Sequence, residues 1–153
     1  MDAIKVENFR RVNPTVEFPR FAHLSPKECA RLRADIAERL NLDSRPDPLT
    51  LLSTLRAAAR PVPGLNAQNG IELRTLISSR GFKPQADALV NWYRFDDIDR
   101  IALSDLSTHF GDIWYPSSDD IEILDESLDW FVFVRHDGAV NVLDLSLEDT
   151  ADE

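Results

Sequence analysis

The chain has 153 residues, 43% hydrophobic and 29% charged, with 17 Lys plus Arg against 27 Asp plus Glu, a formal net charge of -10 and a single Cys. A chain of this size buries about 70% of the surface that its extended form exposes, so it can hold a core without a disulfide, a metal or an obligate partner, and its composition excludes wholesale disorder and a cysteine-stapled scaffold. The acidity argues against nucleic-acid binding, and the longest bulky apolar run, Trp130 to Val134, is far too short to span a membrane.

The opening stretch, Met1 to Leu24, scatters Ile4, Val6, Phe9, Val12, Val16, Phe18 and Phe21 among polar residues without a sustained period, and reads as extended or irregular, with room for a short helix. At Ser25 the pattern sharpens. A Ser cap, Pro26 at the first helical position and Glu28 three residues after the cap make a capping box, and Cys29, Leu32, Ile36 and Leu40 then recur at spacings of three and four. An amphipathic helix follows. Asn41 to Asp47 is a polar break, and Asp47 with Pro48 starts a second helix, Leu49 to Ala59. Arg60 to Asn69, with Pro61, Pro63 and Gly64, reads as a loop, and a third helix is expected from Ile71 to Arg80, closed by Gly81.

From Leu89 onward β-branched and aromatic residues become frequent and the spacing turns toward two. Leu89 to Phe95, Ile113 to Tyr115 and Ile121 to Leu124 are strand candidates, with a short helix over Ser104 to Phe110. The strongest signal is Trp130 to Arg135, then His136, Asp137 and Gly138, then Ala139 to Leu145: two apolar runs joined by an Asp-Gly turn, a β-hairpin. The expected fold is α+β, N-terminal helices followed by a mainly antiparallel sheet ending in a β-hairpin. It forms a single domain over 1–153, with a helical part at about 25–80, a sheet part at about 88–145 and a frayed acidic end at 146–153.

Charge is divided along the chain. Residues 1–95 carry a balance of +5, whereas residues 96–153 hold only Arg100 and Arg135 against 17 acids, a balance of -15. Either the basic half folds against the acidic half and the surplus serves solubility, or part of the acidic half is a field that attracts a basic protein. The segment that best fits the second reading contains Trp114, Tyr115, Asp119, Asp120, Glu122 and Asp125, aromatic residues beside carboxylates. That composition suits an arginine-rich partner gripped by cation-π contact and charge-assisted hydrogen bonds. The competing reading of the same segment is a turn after Pro116 whose serines and Asp119 bond nearby backbone.

No catalytic residue or cofactor is nominated. Asp96, Asp97 and Asp99 fail the calcium-loop pattern, because positions six and twelve counted from Asp97 are Ala102 and Thr108 rather than Gly and Glu; they read instead as capping and helix N-terminal charge. His23, His109 and His136 lack zinc-ligand spacing, so a metal site would have to be assembled from distant segments, and none is expected. Cys29 lies on the apolar stripe of its helix and reads as core. Ser117 and Ser118 sit in no nucleophile elbow, and there is no phosphate-cradling glycine loop.

The resulting expectation is a non-catalytic acidic binding protein for a basic protein partner, in concrete form an immunity or inhibitor protein of a bacterial toxin or nuclease. The bacterial source rests on the preference for Arg over Lys, and a cytoplasmic location on the lack of a secretory signal. The alternatives are a small hydrolase or metal-dependent enzyme with Asp119, Asp120 or His109 in a cleft, and a structural or regulatory subunit. A monomer or a homodimer is expected, with neither nucleic acid nor membrane as partner.

Overall fold

The computed structural model describes residues 1–43 and 46–146; residues 44 and 45 of the expected polar break, and the expected frayed end beyond Ser146, lie outside the described residues. Helix α1, Ala3–Val12, is the short helix that the opening stretch allowed. Asp2 caps it by accepting from the Ile4 backbone N–H, and only Lys5 and Phe9 are buried along it, so it has no long apolar stripe to betray it. A three-residue strand β1, Phe21–His23, follows.

Helix α2, Pro26–Arg39, begins at the capping box: the Ser25 N–H donates to Glu28 Oε2 at 2.7 Å and the Glu28 N–H donates to Ser25 Oγ at 3.2 Å. Helix α3, Pro48–Ala58, starts under Asp47, whose Oδ1 accepts from the N–H groups of Leu49 and Thr50, both at 3.0 Å. Each satisfies donors that a helix start leaves orphaned.

Arg60–Asn66 is strand β2 rather than a loop. It pairs antiparallel with a later strand at the sheet's border, with an irregularity between Pro61 and Asn66. A border strand tolerates prolines, since a missing N–H removes no ladder bond on the solvent side. Helix α4, Leu73–Ser79, lies inside the expected third helix.

Strands β3, Asp87–Tyr93, and β4, Asp97–Ala102, form a hairpin, so Asp97 and Asp99 are strand residues and not helix caps. The turn between them holds Arg94 at φ 50° and Phe95 at φ 56° without a glycine. Two interactions fix this turn: the Phe95 N–H donates to Asn91 Oδ1, and Arg33 Nη1 donates to the Phe95 carbonyl, both at 2.8 Å. Helices α5, Leu103–Thr108, and α6, Phe110–Ile113, come next. Ile113 therefore ends a helix rather than opening a strand, and the Trp114 N–H still bonds to the Phe110 carbonyl at 2.9 Å. Strands β5, Ile121–Leu124, β6, Trp130–Val134, and β7, Ala139–Asp144, complete the described elements, with β6 and β7 forming the anticipated hairpin.

The seven strands among the described residues join one antiparallel sheet in the order β1-β4-β3-β5-β6-β7-β2, an α+β fold. Both faces are covered. Val90, Ile101, Ile121, Ile123, Trp130 and Val132 pack with α4, α5 and α6 on one side, whereas Leu89, Ile98, Leu124, Phe131 and Phe133 pack with α2 and α3 on the other. Burial on two faces explains why β5 and β6 read as unbroken apolar runs rather than as alternation. No described helix is long and apolar enough to cross a membrane.

Candidate functional site: an acidic cleft at the β1 border

The six residues nominated from sequence fall in different environments. Trp114 is buried, and its Nε1 donates to the Asp119 carbonyl at 3.0 Å. Tyr115 and Asp119 are half-buried; the Tyr115 N–H donates to Asp119 Oδ2 at 2.8 Å, and that oxygen also takes the buried Lys5 ammonium. Lys5 Nζ lies 3.8 Å from the centroid of the Tyr115 ring and 5.1 Å from that of Trp92. The aromatic and carboxylate grip inferred for a partner's cation is thus made on the chain's own lysine.

Glu122 is buried on the opposite face of the sheet, where Arg56 Nη2 reaches Oε1 at 3.1 Å and Asn91 Nδ2 reaches Oε2 at 2.8 Å. Burial pushes its pKa up, and the Arg56 charge with the two hydrogen bonds only partly opposes this. Asp125, beyond the far end of β5, is fully buried and accepts from the Gln85 N–H at 2.8 Å and from Trp130 Nε1 at 3.0 Å. Asp120 accepts from the His136 N–H at 2.7 Å and lies 2.9 Å from His136 Nδ1. Burial raises its pKa, but the His136 hydrogen bonds and the His136 and Arg135 charges outweigh that and hold it below the usual value. Asp119, Glu122 and Asp125 therefore face three different internal partners, on two faces and at two ends of β5.

Part of the division of charge is resolved inside the fold. Arg33 pairs with Asp96 at 2.5 Å, Arg39 with Asp129 at 2.7 Å, Arg56 with Glu122 at 3.1 Å, and Lys5 with Asp119, each joining the basic half to the acidic half. Cys29 is buried in α2, and burial raises its thiol pKa. His109 packs edge-on against Phe9, with ring centroids 5.4 Å apart.

A cleft of about 650 Å³ lies between the start of α1 and the strands β1, β4 and β3. Its carboxylates are Asp2, Asp96, Asp97, Asp99 and Asp119, and Phe21 and Trp92 supply its apolar wall. Asp99 forms the floor. It is fully buried, its Oδ2 accepts from Trp92 Nε1 at 2.8 Å and from the Met1 amine, and its Oδ1 lies 3.1 Å from His23 Nδ1. The same imidazole nitrogen lies 3.7 Å from Asp97 Oδ1, and both of these side chains are about half exposed.

Strand register builds this arrangement. His23 sits directly opposite Asp99 in the β1–β4 ladder, and Asp97, two residues before Asp99, shares its face. Among the described residues, His23, Asp97 and Asp99 form a group of possible metal ligands whose donor atoms all lie within 4.8 Å of one another. The sequence contained one usable signal, carboxylates at alternating positions, which matters only if the segment is read as a strand. The other partner lies 76 residues away.

Comparisons with protein-family models, with curated proteins and with solved structures each find no match. The functional reading therefore rests on the cleft.

Proposed function

We propose that this chain is a non-catalytic acidic binding protein that engages a basic protein partner, in concrete form an immunity or inhibitor protein of a bacterial toxin or nuclease, and that the cleft at the β1 border is where it does so. One observation carries this reading. Asp96, Asp99 and Asp119 are matched by Arg33, the Met1 amine and Lys5, but Asp2 and Asp97 line the cleft without a Lys or Arg partner among the described residues. Beside them stands the partly exposed Phe21, which lines the same cleft. Carboxylates without a Lys or Arg partner beside apolar surface suit an Arg or Lys side chain, with charge setting the association rate and the apolar contact holding the complex.

The test is affinity capture from the source lysate by wild type, Asp2→Asn and Asp97→Lys at about 50 mM and about 300 mM salt, a range over which the Debye length falls from about 14 to about 6 Å. Asn retains the helix cap, so the first variant removes charge without removing α1's start. Retention of a basic protein by wild type at both salts, with loss in both variants, supports the reading. Recovery of none, or retention unchanged in both variants, overturns it.

A small enzyme is the second reading, favoured by the exposed His23 beside the buried Asp99, an arrangement that orients an imidazole for proton transfer. It requires a small molecule that raises the melting temperature and is turned over, with turnover lost in His23→Gln.

A further inference from the structure

We propose that His23, Asp97 and Asp99 bind one divalent transition-metal ion. The donor set is one imidazole nitrogen and two carboxylate oxygens, a mixture that suits first-row ions such as Mn²⁺ and Zn²⁺ better than the all-oxygen shells of Ca²⁺. The spacing fits as well. Two donors at adjacent positions, each about 2.1 Å from one ion, lie about 3.0–3.4 Å apart. His23 Nδ1 is 3.1 Å from Asp99 Oδ1 and 3.7 Å from Asp97 Oδ1, and all three donor atoms lie within 4.8 Å of one another, so a shift of the two half-exposed side chains, His23 and Asp97, brings the three donors onto one ion.

What separates this group from a surface ion pair is the support behind Asp99. The carboxylate is fully buried, and its Oδ2 is held by Trp92 Nε1 and the Met1 amine, which leaves Oδ1 turned toward His23. Donors on the second oxygen of a ligating carboxylate are how proteins fix its orientation before a metal arrives. The ladder pairing of His23 with Asp99, and the shared face of Asp97, place all three donors on the sheet independently of loop conformation. The open cleft above them leaves the remaining coordination positions to water.

The chain also supplies its own comparison. His136 Nδ1 lies 2.9 Å from Asp120 Oδ1, a half-exposed His–Asp pair that belongs to no such group of three among the described residues. It should behave as an ion pair only.

The experiment is calorimetric titration of the isolated chain with MnCl₂ and with ZnCl₂, together with the electron paramagnetic resonance signal of free Mn²⁺. Wild type, His23→Ala, Asp97→Asn and the control Asp120→Asn are compared. Because it uses no partner, its result is separate from that of the capture experiment. Expected are one ion per chain, at least about a tenfold loss of affinity in His23→Ala and in Asp97→Asn, and no change in Asp120→Asn. Circular dichroism shows whether the two ligand variants keep the fold, and both replace half-exposed side chains. No saturable binding up to about 1 mM metal, the weak end for protein sites of divalent ions, overturns the proposal, as does binding that survives both ligand variants.

Discussion

The Lys5 ammonium lies 3.8 Å from the centroid of the Tyr115 ring and pairs with Asp119, so α1 is fastened to the segment after α6 by a buried charge. Removing the ammonium while keeping an apolar stem, as in Lys5→Met, leaves Asp119 without its cation at a position only 17% exposed. Breaking a buried pair from one side costs about 3 kcal/mol, because the remaining charge stays desolvated. Lys5→Met should therefore lower the urea midpoint by that equivalent, whereas Lys27→Met, at an exposed position of α2, should leave it unchanged. Equal midpoints for wild type and Lys5→Met would mean that the pair holds nothing.

Much of the fold is legible where the physics is local. The Ser25–Glu28 capping box, the Asp47–Pro48 start and the Asp137–Gly138 turn each announce their element through contacts within a few residues. What the sequence conceals depends on distant support. The β3–β4 turn takes two positive φ angles at Arg94 and Phe95, and it is sustained by Arg33, a residue of α2 that lies 62 positions away. Strand β2 carries prolines that look like a loop until its border position is known. The cleft follows the same rule, since His23 meets Asp99 only through a ladder between segments far apart in the chain, and Tyr115 finds its cation in Lys5.

Glu122 gives a pH signature of one sign. Its pKa is raised in the folded state from an ordinary value of 4.5, because burial disfavours the charged form. The native state then binds the proton more tightly than the unfolded chain does. The stability it contributes is complete below about pH 4.5 and is lost as pH rises through the raised folded value. Glu122→Gln cannot ionise, so the stability of wild type relative to this variant should fall as pH increases above 4.5. Parallel curves from urea melts at several pH values would contradict the assignment.

Asp120 gives the opposite sign. The His136 hydrogen bonds hold its folded pKa below 3.8 despite the burial that opposes them, so its stabilisation is present above that pH and disappears as pH falls through the lowered value. Its side chain is 39% exposed, which screens the charge and keeps the expected loss in Asp120→Asn near about 0.5–1 kcal/mol at neutral pH. The difference between wild type and variant should close in acid. A difference that persists well below pH 3.8 would show that the Asn amide, rather than the missing charge, is responsible.

Gly138 closes the β6–β7 turn with φ +87°, and a Cβ built there would stand 2.0 Å from Asn66 Oδ1. Two penalties coincide, a backbone region that side chains avoid and a clash with the residue that starts the turn after β2. Asn66 is anchored in its own right, because its Oδ1 accepts from the Gln68 N–H at 2.8 Å, and the neighbouring Ala67 N–H donates to the Gly138 carbonyl, also at 2.8 Å. Gly138→Ala should therefore cost more than about 1 kcal/mol and loosen the β2–β7 border of the sheet. Gly111 is the contrasting site: it lies in α6, and a Cβ there meets nothing within 4 Å. Gly111→Ala should stabilise by about 0.5–1 kcal/mol through helix propensity alone. Hydrogen exchange at the Ala67 amide locates the difference, with faster exchange expected in Gly138→Ala and no change in Gly111→Ala; equal exchange in the two variants would mean that Asn66 swings clear of the added methyl group.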